Sequence, residues 1–297
     1  MDAPFITVFT PTYNRASTLV MVYKSLLAQT LRSFEWLIVD DGSTDNTGDL
    51  VRMWQLEAPF PIRYIYQNNG GKHVATNVGV REARGELFLF LDSDDTCMPE
   101  TMEQFKDLWE SIPDHARGRY STVSVLCVDS KGEVVGRQYP ADVVDAENGW
   151  EQFKLRSSGE RFGINKTDIL RSFPFPQFDG EKFIPEGIVW NRMALQYGAR
   201  FVNKALRTYE QRPDSLSTSS IRIRANSPVG TSLYYNELSH MPLPMWEKLK
   251  AAASYVRFSF HGKTPIKTII KKAISPLWVV LSLWLGYILY RLDRNKI

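Results

Sequence analysis

The chain has 297 residues, 43% of them hydrophobic and 23% charged, with a net charge of +3. That composition suits a globular protein of one or two domains with a sizeable core, and nothing in it calls for a nucleic-acid partner. Cys97 and Cys127 lack metal-ligand spacing and read as reduced, buried apolar residues, which excludes a disulfide framework and suits a cytoplasmic chain. The opening Met1-Asp2-Ala3-Pro4-Phe5 predicts no secretory signal. Charge is unevenly spread: Pro242 to Ile297 carries ten Lys/Arg against Glu247 and Asp293, a net +8, leaving about −5 for the rest.

Phe5 to Thr10 is a β-branched and aromatic run stopped by Pro11, which predicts a first strand. Ser17 then offers a cap to a helix whose apolar residues Leu19, Val22, Tyr23, Leu26 and Leu27 keep helical spacing. A second strand, Trp36 to Val39, ends in Asp40-Asp41-Gly42-Ser43-Thr44-Asp45, a turn rich in capping side chains, before a helix to about Gln55. Ile62 to Tyr66 is the third strand, and Asn69-Gly70-Gly71-Lys72-His73 leads into a helix that Gly85 can terminate.

Leu87 to Leu91 is an uninterrupted apolar run, as in a strand buried on both faces. It ends in Asp92-Ser93-Asp94-Asp95. Three carboxylates in four residues repel one another unless donors or a cation hold them together, and hard divalent ions favour such oxygens. A metal–diphosphate site is the expectation. A calcium loop fits worse, since Cys97 stands where such a loop needs glycine.

Strands alternating with helices imply parallel crossovers with helices on both faces. No G-x-G-x-x-G follows the first strand and no P-loop motif occurs. Pro99 begins a helix with Met102, Phe105, Trp109 and Ile112 on one side. Thr122 to Val128 with the turn Asp129-Ser130-Lys131-Gly132 then reads as a hairpin.

Phe9-Thr10-Pro11-Thr12-Tyr13-Asn14-Arg15, Val39 to Asp45, Asn69-Gly70-Gly71-Lys72 with Asn77-Val78-Gly79, and Leu91 to Asp95 resemble the four successive signatures of family 2 inverting glycosyltransferases. Four ordered signatures are more specific than any one. The resemblance covers about the first hundred residues. It implies a GT-A fold: an α/β, mostly parallel nucleotide-binding sheet flanked by helices, with a small antiparallel acceptor-side part. It also implies site residues. Pro11, Tyr13, Asn14 and Arg15 would lie along the nucleotide, and Asp40 and Asp41 would hold base and ribose. Lys72 and Asn77 would reach the donor, Asp94 would bind Mn²⁺ or Mg²⁺, and Asp92, with Ser93, would touch ribose or share the metal. Asp95 is a weaker candidate.

The family usually carries a Glu-Asp pair at a later helix start, the Asp being the catalytic base. Here Glu186-Gly187 precedes Ile188, Val189, Trp190 and Met193. Glu186 is the expected base, with Asp179 and Glu181 as fallbacks. Arg212, in Tyr209 to Ser217, resembles a loop that closes over the donor diphosphate, where it would clamp phosphate.

From Pro242 the pattern becomes an amphipathic helix with Trp246, Leu249, Val256 and Phe260, then Lys263, Lys267, Lys271 and Lys272. Ala273 to Tyr290 is uncharged, a borderline transmembrane length with Trp278, Trp284, Tyr287 and Tyr290 as interfacial anchors. A buried helix at a partner interface and an in-plane interfacial helix are the alternatives. The combined expectation is a transferase domain over residues 1–225 and a basic, helical, membrane-associating region over 226–297. The chain would move a sugar from a nucleotide diphosphate donor, UDP-linked, to a surface-glycan or lipid-linked acceptor on the cytoplasmic face of a membrane. A non-catalytic nucleotide-sugar or metal-binding scaffold, or a sugar-phosphate nucleotidyltransferase, is the alternative.

Overall fold

A computed structural model describes residues 3–209 and 220–294. Its first half alternates β1 (Ile6–Thr12), α1 (Ala16–Leu27), β2 (Phe34–Asp40), α2 (Thr47–Glu57), β3 (Ile62–Tyr66), α3 (Lys72–Glu82) and β4 (Leu87–Phe90). Then come β5 (Thr96–Cys97), α4 (Thr101–Glu110), α5 (Asp114–Arg117), β6 (Tyr120–Val128), β7 (Val143–Ala146), α6 (Gly149–Arg156), β8 (Arg161–Lys166) and α7 (Thr167–Arg171). The chain closes with α8 (Gly187–Ala194), β9 (Gly198–Thr208), α9 (Ser220–Asn226), α10 (Pro228–His240), α11 (Met245–His261), α12 (Ile266–Lys272) and α13 (Pro276–Arg294). It divides into two compact units, Met1–Pro174 with Met193–Gln211 and Phe175–Arg192 with Arg212–Ile297.

In the first unit β3, β2, β1 and β4 lie side by side and parallel, so the ends of β1, β2 and β4 open on one edge. β8 pairs antiparallel with β4 and β6, while β9 lies parallel to β6 and antiparallel to β5 and β7. The fold class is therefore the one expected, a parallel half continued by an antiparallel part. Trp36, Phe34, Trp109, Phe105 and Phe162 are buried on one side of this sheet, and Tyr23 stacks on Trp54 at 4.4 Å. On the other side α3 approaches β1 so closely that a Cβ on Gly79 would lie 2.2 Å from the Phe9 ring. Only glycine fits there.

Three local expectations need correction. β1 runs through Pro11, which pairs with Val39; the β4 register ends at Phe9 and Phe90, so at Pro11 the missing donor interrupts no second ladder. Ser17 is not the cap of α1, which starts one residue earlier. Instead Ala16 N–H donates to Asp45 Oδ2 at 3.2 Å, from the turn after β2. The hairpin after β6 shrinks to an isolated Val128–Val134 bridge, because β8 and β9 occupy the two edges of β6.

In the second unit α11 packs between α10 and α13. Its buried stripe is Ala252, Tyr255, Val256 and Phe258, whereas Trp246, expected on the apolar face, is 52% exposed. A Cβ on Gly286 would lie 2.5 Å from Val256 Cβ, so α13 rests directly on α11. Asn236 ties the link before α13, donating to the Lys272 carbonyl (2.9 Å) and accepting from Ile274 N–H (3.0 Å). At the far end the buried Asp293 carboxylate takes both arms of the Arg257 guanidinium and lies 3.0 Å from His261 Nε2. The transmembrane expectation fails: among the described residues no helix is long and apolar enough to cross a membrane. The uncharged stretch is broken before Pro276, and Pro276 to Tyr290 spans only about 22 Å against the roughly 30 Å of a bilayer core.

Candidate functional site

The open edge of the parallel half collects the signatures. After β1, Asn14 adopts a left-handed backbone at φ 51°. Its Oδ1 accepts from Thr44 N–H (2.7 Å) and Asp45 N–H (3.3 Å), while its own N–H donates to Ser43 Oγ (2.8 Å). Asn14 thus locks the loop after β1 to the turn after β2. Pro11 is buried, Tyr13 is 49% exposed at the rim, and Arg15 is half-buried.

Asp40 ends β2 and Asp41 follows it, and both are buried. Tyr64 Oη donates to Asp40 Oδ2 (2.6 Å) and Ser43 N–H to Oδ1 (2.7 Å). Burial first, then this bond, drives the Tyr64 hydroxyl well above its ordinary pKa. Asp41 accepts from Gln67 Nε2 (2.7 Å), Gly70 N–H (2.8 Å) and Gly71 N–H (2.8 Å). Of the pair expected to face a nucleoside, Asp41 thus anchors the Gly70-Gly71 turn, whose φ of 97° at Gly71 only glycine adopts without strain.

That turn launches α3 and places Lys72 at its first position. Lys72 Nζ lies 2.8 Å from Asp92 Oδ1 at the end of β4, with both side chains about one-third exposed. Burial opposes the charge on Asp92, but Lys72 outweighs it and holds the carboxyl below the usual range. Ser93 is buried. Asp94 is half-buried and makes no hydrogen bond or ion pair among the described residues. Asn77, one turn and more along α3, is half-buried.

Asp94 and Asp92 suit a hard divalent cation. Among the described residues no group of three or more His, Cys, Asp or Glu converges into a complete protein cage. A cation held here would take its remaining ligands from diphosphate and water, as Mg²⁺ commonly does.

Two features escaped the sequence reading. Arg207 on β9 is buried and bonds Asp95 Oδ2 (2.9 Å) and Glu160 Oε1 (2.8 Å), with the Phe162 and Tyr209 rings 5.2 and 5.6 Å from the guanidinium. Burial pushes the Asp95 carboxyl up to about 7 against the pull of Arg207. In sequence Arg207 is one of three cations on β9, with Arg200 and Lys204, and nothing marks it as the buried one. His73, beside Lys72, is buried with both ring nitrogens lacking a partner among the described residues. Burial lowers its pKa, with Asp41 opposing. Nothing in the sequence marks a helical histidine as buried.

The carboxylates considered as base belong to the second unit. Glu186 and Asp179 are exposed. Glu181 is buried and accepts from Val229 N–H (2.6 Å) and Gly230 N–H (2.8 Å), capping the start of α10. A Cβ on Gly187 would meet the Tyr234 ring at 3.0 Å. Arg212 lies outside the described residues.

Residues 7–125 match the family model described as glycosyl transferase family 2. Glycosyltransferase GlyA of Streptococcus pneumoniae is 30% identical over 222 residues, which cover 71% of this chain and 31% of GlyA. The chain spans a third or less of the length of several curated relatives it matches. Staphylococcus aureus TarS, solved with UDP-GlcNAc, shares the fold with a TM-score of 0.58 at 20% identity over 95% of this chain and 80% of that one. The mannosyltransferase PcManGT of Pyrobaculum calidifontis, solved with GDP-Man and Mn²⁺, also gives 0.58, at 18% identity over 99% and 87%. The matched model identifies residues 7–125 as a glycosyl transferase family 2 domain, and the glycosyltransferase relatives and the shared GT-A fold agree with it.

Proposed function

We propose that the chain is a metal-dependent inverting glycosyltransferase that moves a sugar from a UDP-linked donor to a hydroxyl of a surface glycan or lipid-linked saccharide. The observation that carries this reading is the uncommitted Asp94 carboxylate beside Asp92, which Lys72 holds at the start of α3. A carboxylate pair at strand ends, next to a lysine at a helix start, suits a nucleoside diphosphate and its cation. TarS with UDP-GlcNAc and PcManGT with GDP-Man and Mn²⁺ have the same fold, which supports a nucleotide-sugar donor and a divalent metal.

In this reading Asp94, with Asp92, holds Mn²⁺ or Mg²⁺. When bound, the cation offsets the charge that builds on the departing diphosphate. Lys72 contributes a second positive charge, and Pro11, Tyr13, Arg15 and Asn77 line the donor. Asn14, Asp40 and Asp41 act by holding the loops that carry these groups. Glu186 accepts the acceptor's hydroxyl proton as the new carbon–oxygen bond forms and the bond to phosphate breaks, its electron pair leaving with UDP. The basic tail supports a peripheral association with the cytoplasmic face of a membrane.

The test is a panel of UDP- and GDP-sugars, each with and without Mn²⁺, read by thermal unfolding and by release of nucleoside diphosphate. A ligand that binds only the folded state raises the melting temperature with its affinity. Metal-dependent protection by a UDP-sugar, with UDP release, is expected. Protection by none of the panel would overturn the reading, and protection without turnover would favour a binding scaffold.

A further inference from the structure

α13 is apolar on two opposite sides, and only one of them is covered. Its inner stripe, Val279, Ser282 and Gly286, lies on α11. The outer stripe is Leu277, Leu281, Trp284, Leu285, Ile288 and Leu292, all exposed, with Trp284 at 78% and Leu281 at 62%. These positions recur at helical spacing, so they form one continuous face rather than scattered apolar residues.

The inner side cannot be released cheaply. Asn236 fixes the backbone just before the helix, and Asp293, buried at its end, is paired with Arg257. α13 therefore stays on α11 and offers its outer face as it stands.

Charge identifies what covers that face. From Gly262 to Arg294 the only acid is Asp293, and it is buried. Lys263, Lys267, Lys271 and Lys272 are exposed before the apolar face, and Arg291 and Arg294 are exposed at its end. A second copy meeting this surface would set cations against cations. A bilayer with anionic headgroups complements both features, taking the apolar face into the headgroup boundary and the cations against phosphate.

We infer that α12 and α13 form an in-plane platform for anionic lipid, with α13 lying on the bilayer through its Leu277–Leu292 face. This deepens the peripheral association proposed above and rests on that part of the reading, not on its chemistry.

Flotation of the intact chain with phosphatidylcholine vesicles, with and without about a third phosphatidylglycerol, tests it. Binding should require the anionic lipid and weaken with salt. Leu281→Glu with Trp284→Glu should lower partition at least about tenfold, and Lys267→Gln with Lys271→Gln and Lys272→Gln should remove most of the preference for anionic lipid. Both sets of substitutions lie on the surface and should keep the parent's melting temperature and donor protection. Failure of the parent to bind anionic vesicles at low salt overturns the inference, as does unchanged binding by the Leu281/Trp284 variant. A dimer dispersed by Trp284→Glu, without vesicle binding, assigns the face to a second copy instead. Loss of donor turnover in a chain that still binds vesicles would sink the transfer reading alone.

Discussion

Arg207 Nη1 lies 2.9 Å from Asp95 Oδ2, and both side chains are only 6% exposed. The bond joins the antiparallel side of the first unit to the acidic loop after β4. One guanidinium there serves two carboxylates, Asp95 and Glu160. Arg207→Met should leave both acids short of a partner and cost about 3–5 kcal/mol of stability, the usual result of breaking a buried pair from one side. Arg207→Lys should recover only part of this, since an ammonium lacks the planar fork. Denaturant titration of the three proteins measures it, and a loss below 1 kcal/mol in Arg207→Met would contradict the role.

Removing Asp94 should act on the metal and leave the fold alone. Its side chain makes no hydrogen bond or ion pair among the described residues, so Asp94→Ala should melt within a degree or two of the parent. Turnover should fall by at least about two orders of magnitude, several kcal/mol of charge stabilisation being lost. Chelator should reproduce this loss in the parent and add nothing in Asp94→Ala. Parent turnover left unchanged by chelator would remove the metal from the site.

The two nearby glutamates should separate cleanly. Glu186→Gln is expected to keep donor protection and lose about two to four orders of magnitude in turnover, the range for a lost general base. Glu181→Gln should instead lower stability by about 1–3 kcal/mol, because two buried N–H groups at the start of α10 lose a charged acceptor. Near-normal turnover in Glu186→Gln, with Asp179→Asn inactive, would move the base to Asp179.

His73 supplies a pH dependence whose sign can be worked out. Burial sets its folded pKa below the ordinary value of 6.5. The unfolded chain therefore binds a proton that the folded chain refuses, and the stability present above pH 6.5 is lost as pH falls towards the folded value. One such group changes stability by at most about 1.4 kcal/mol per pH unit. His73→Leu removes the titration and two unpaired nitrogens, and should flatten the acid limb of a stability profile between pH 7.5 and 5.5. An unchanged limb would place the titration elsewhere.

The parallel strands and the acidic strand end were legible because burial on two faces leaves an unbroken apolar run, as in Leu87 to Leu91. What the residues of the Asp40 and Asp41 turn do there was not. A carboxylate beside glycines reads alike whether it accepts from a ligand or from backbone N–H groups, and only the fold shows Gly70 and Gly71 donating to Asp41. The cap of α1 failed for a similar reason: Asp45 is 29 residues away in sequence, beyond the reach of any local pattern. Hydropathy also misread the tail. Eighteen uncharged residues look alike whether a helix crosses lipid or rests on another helix, and the break before Pro276 with the Gly286 contact decides for the second.

The close approach of Tyr234 to Gly187 also bears on how this chain could change by mutation. A carboxylate introduced by Gly187→Asp would push against the Tyr234 ring. That ring packs on Tyr235, which stacks on Phe258 and whose hydroxyl accepts from Arg224. The disturbance would run through several partners. Gly187→Asp alone should therefore be harmful, and trimming Tyr234 alone would open a gap without adding an acid. A lineage restoring the Glu-Asp pair would have to acquire both changes nearly together. That epistatic barrier would keep Glu186-Gly187 in place once it had arisen, whatever advantage the acid held at first.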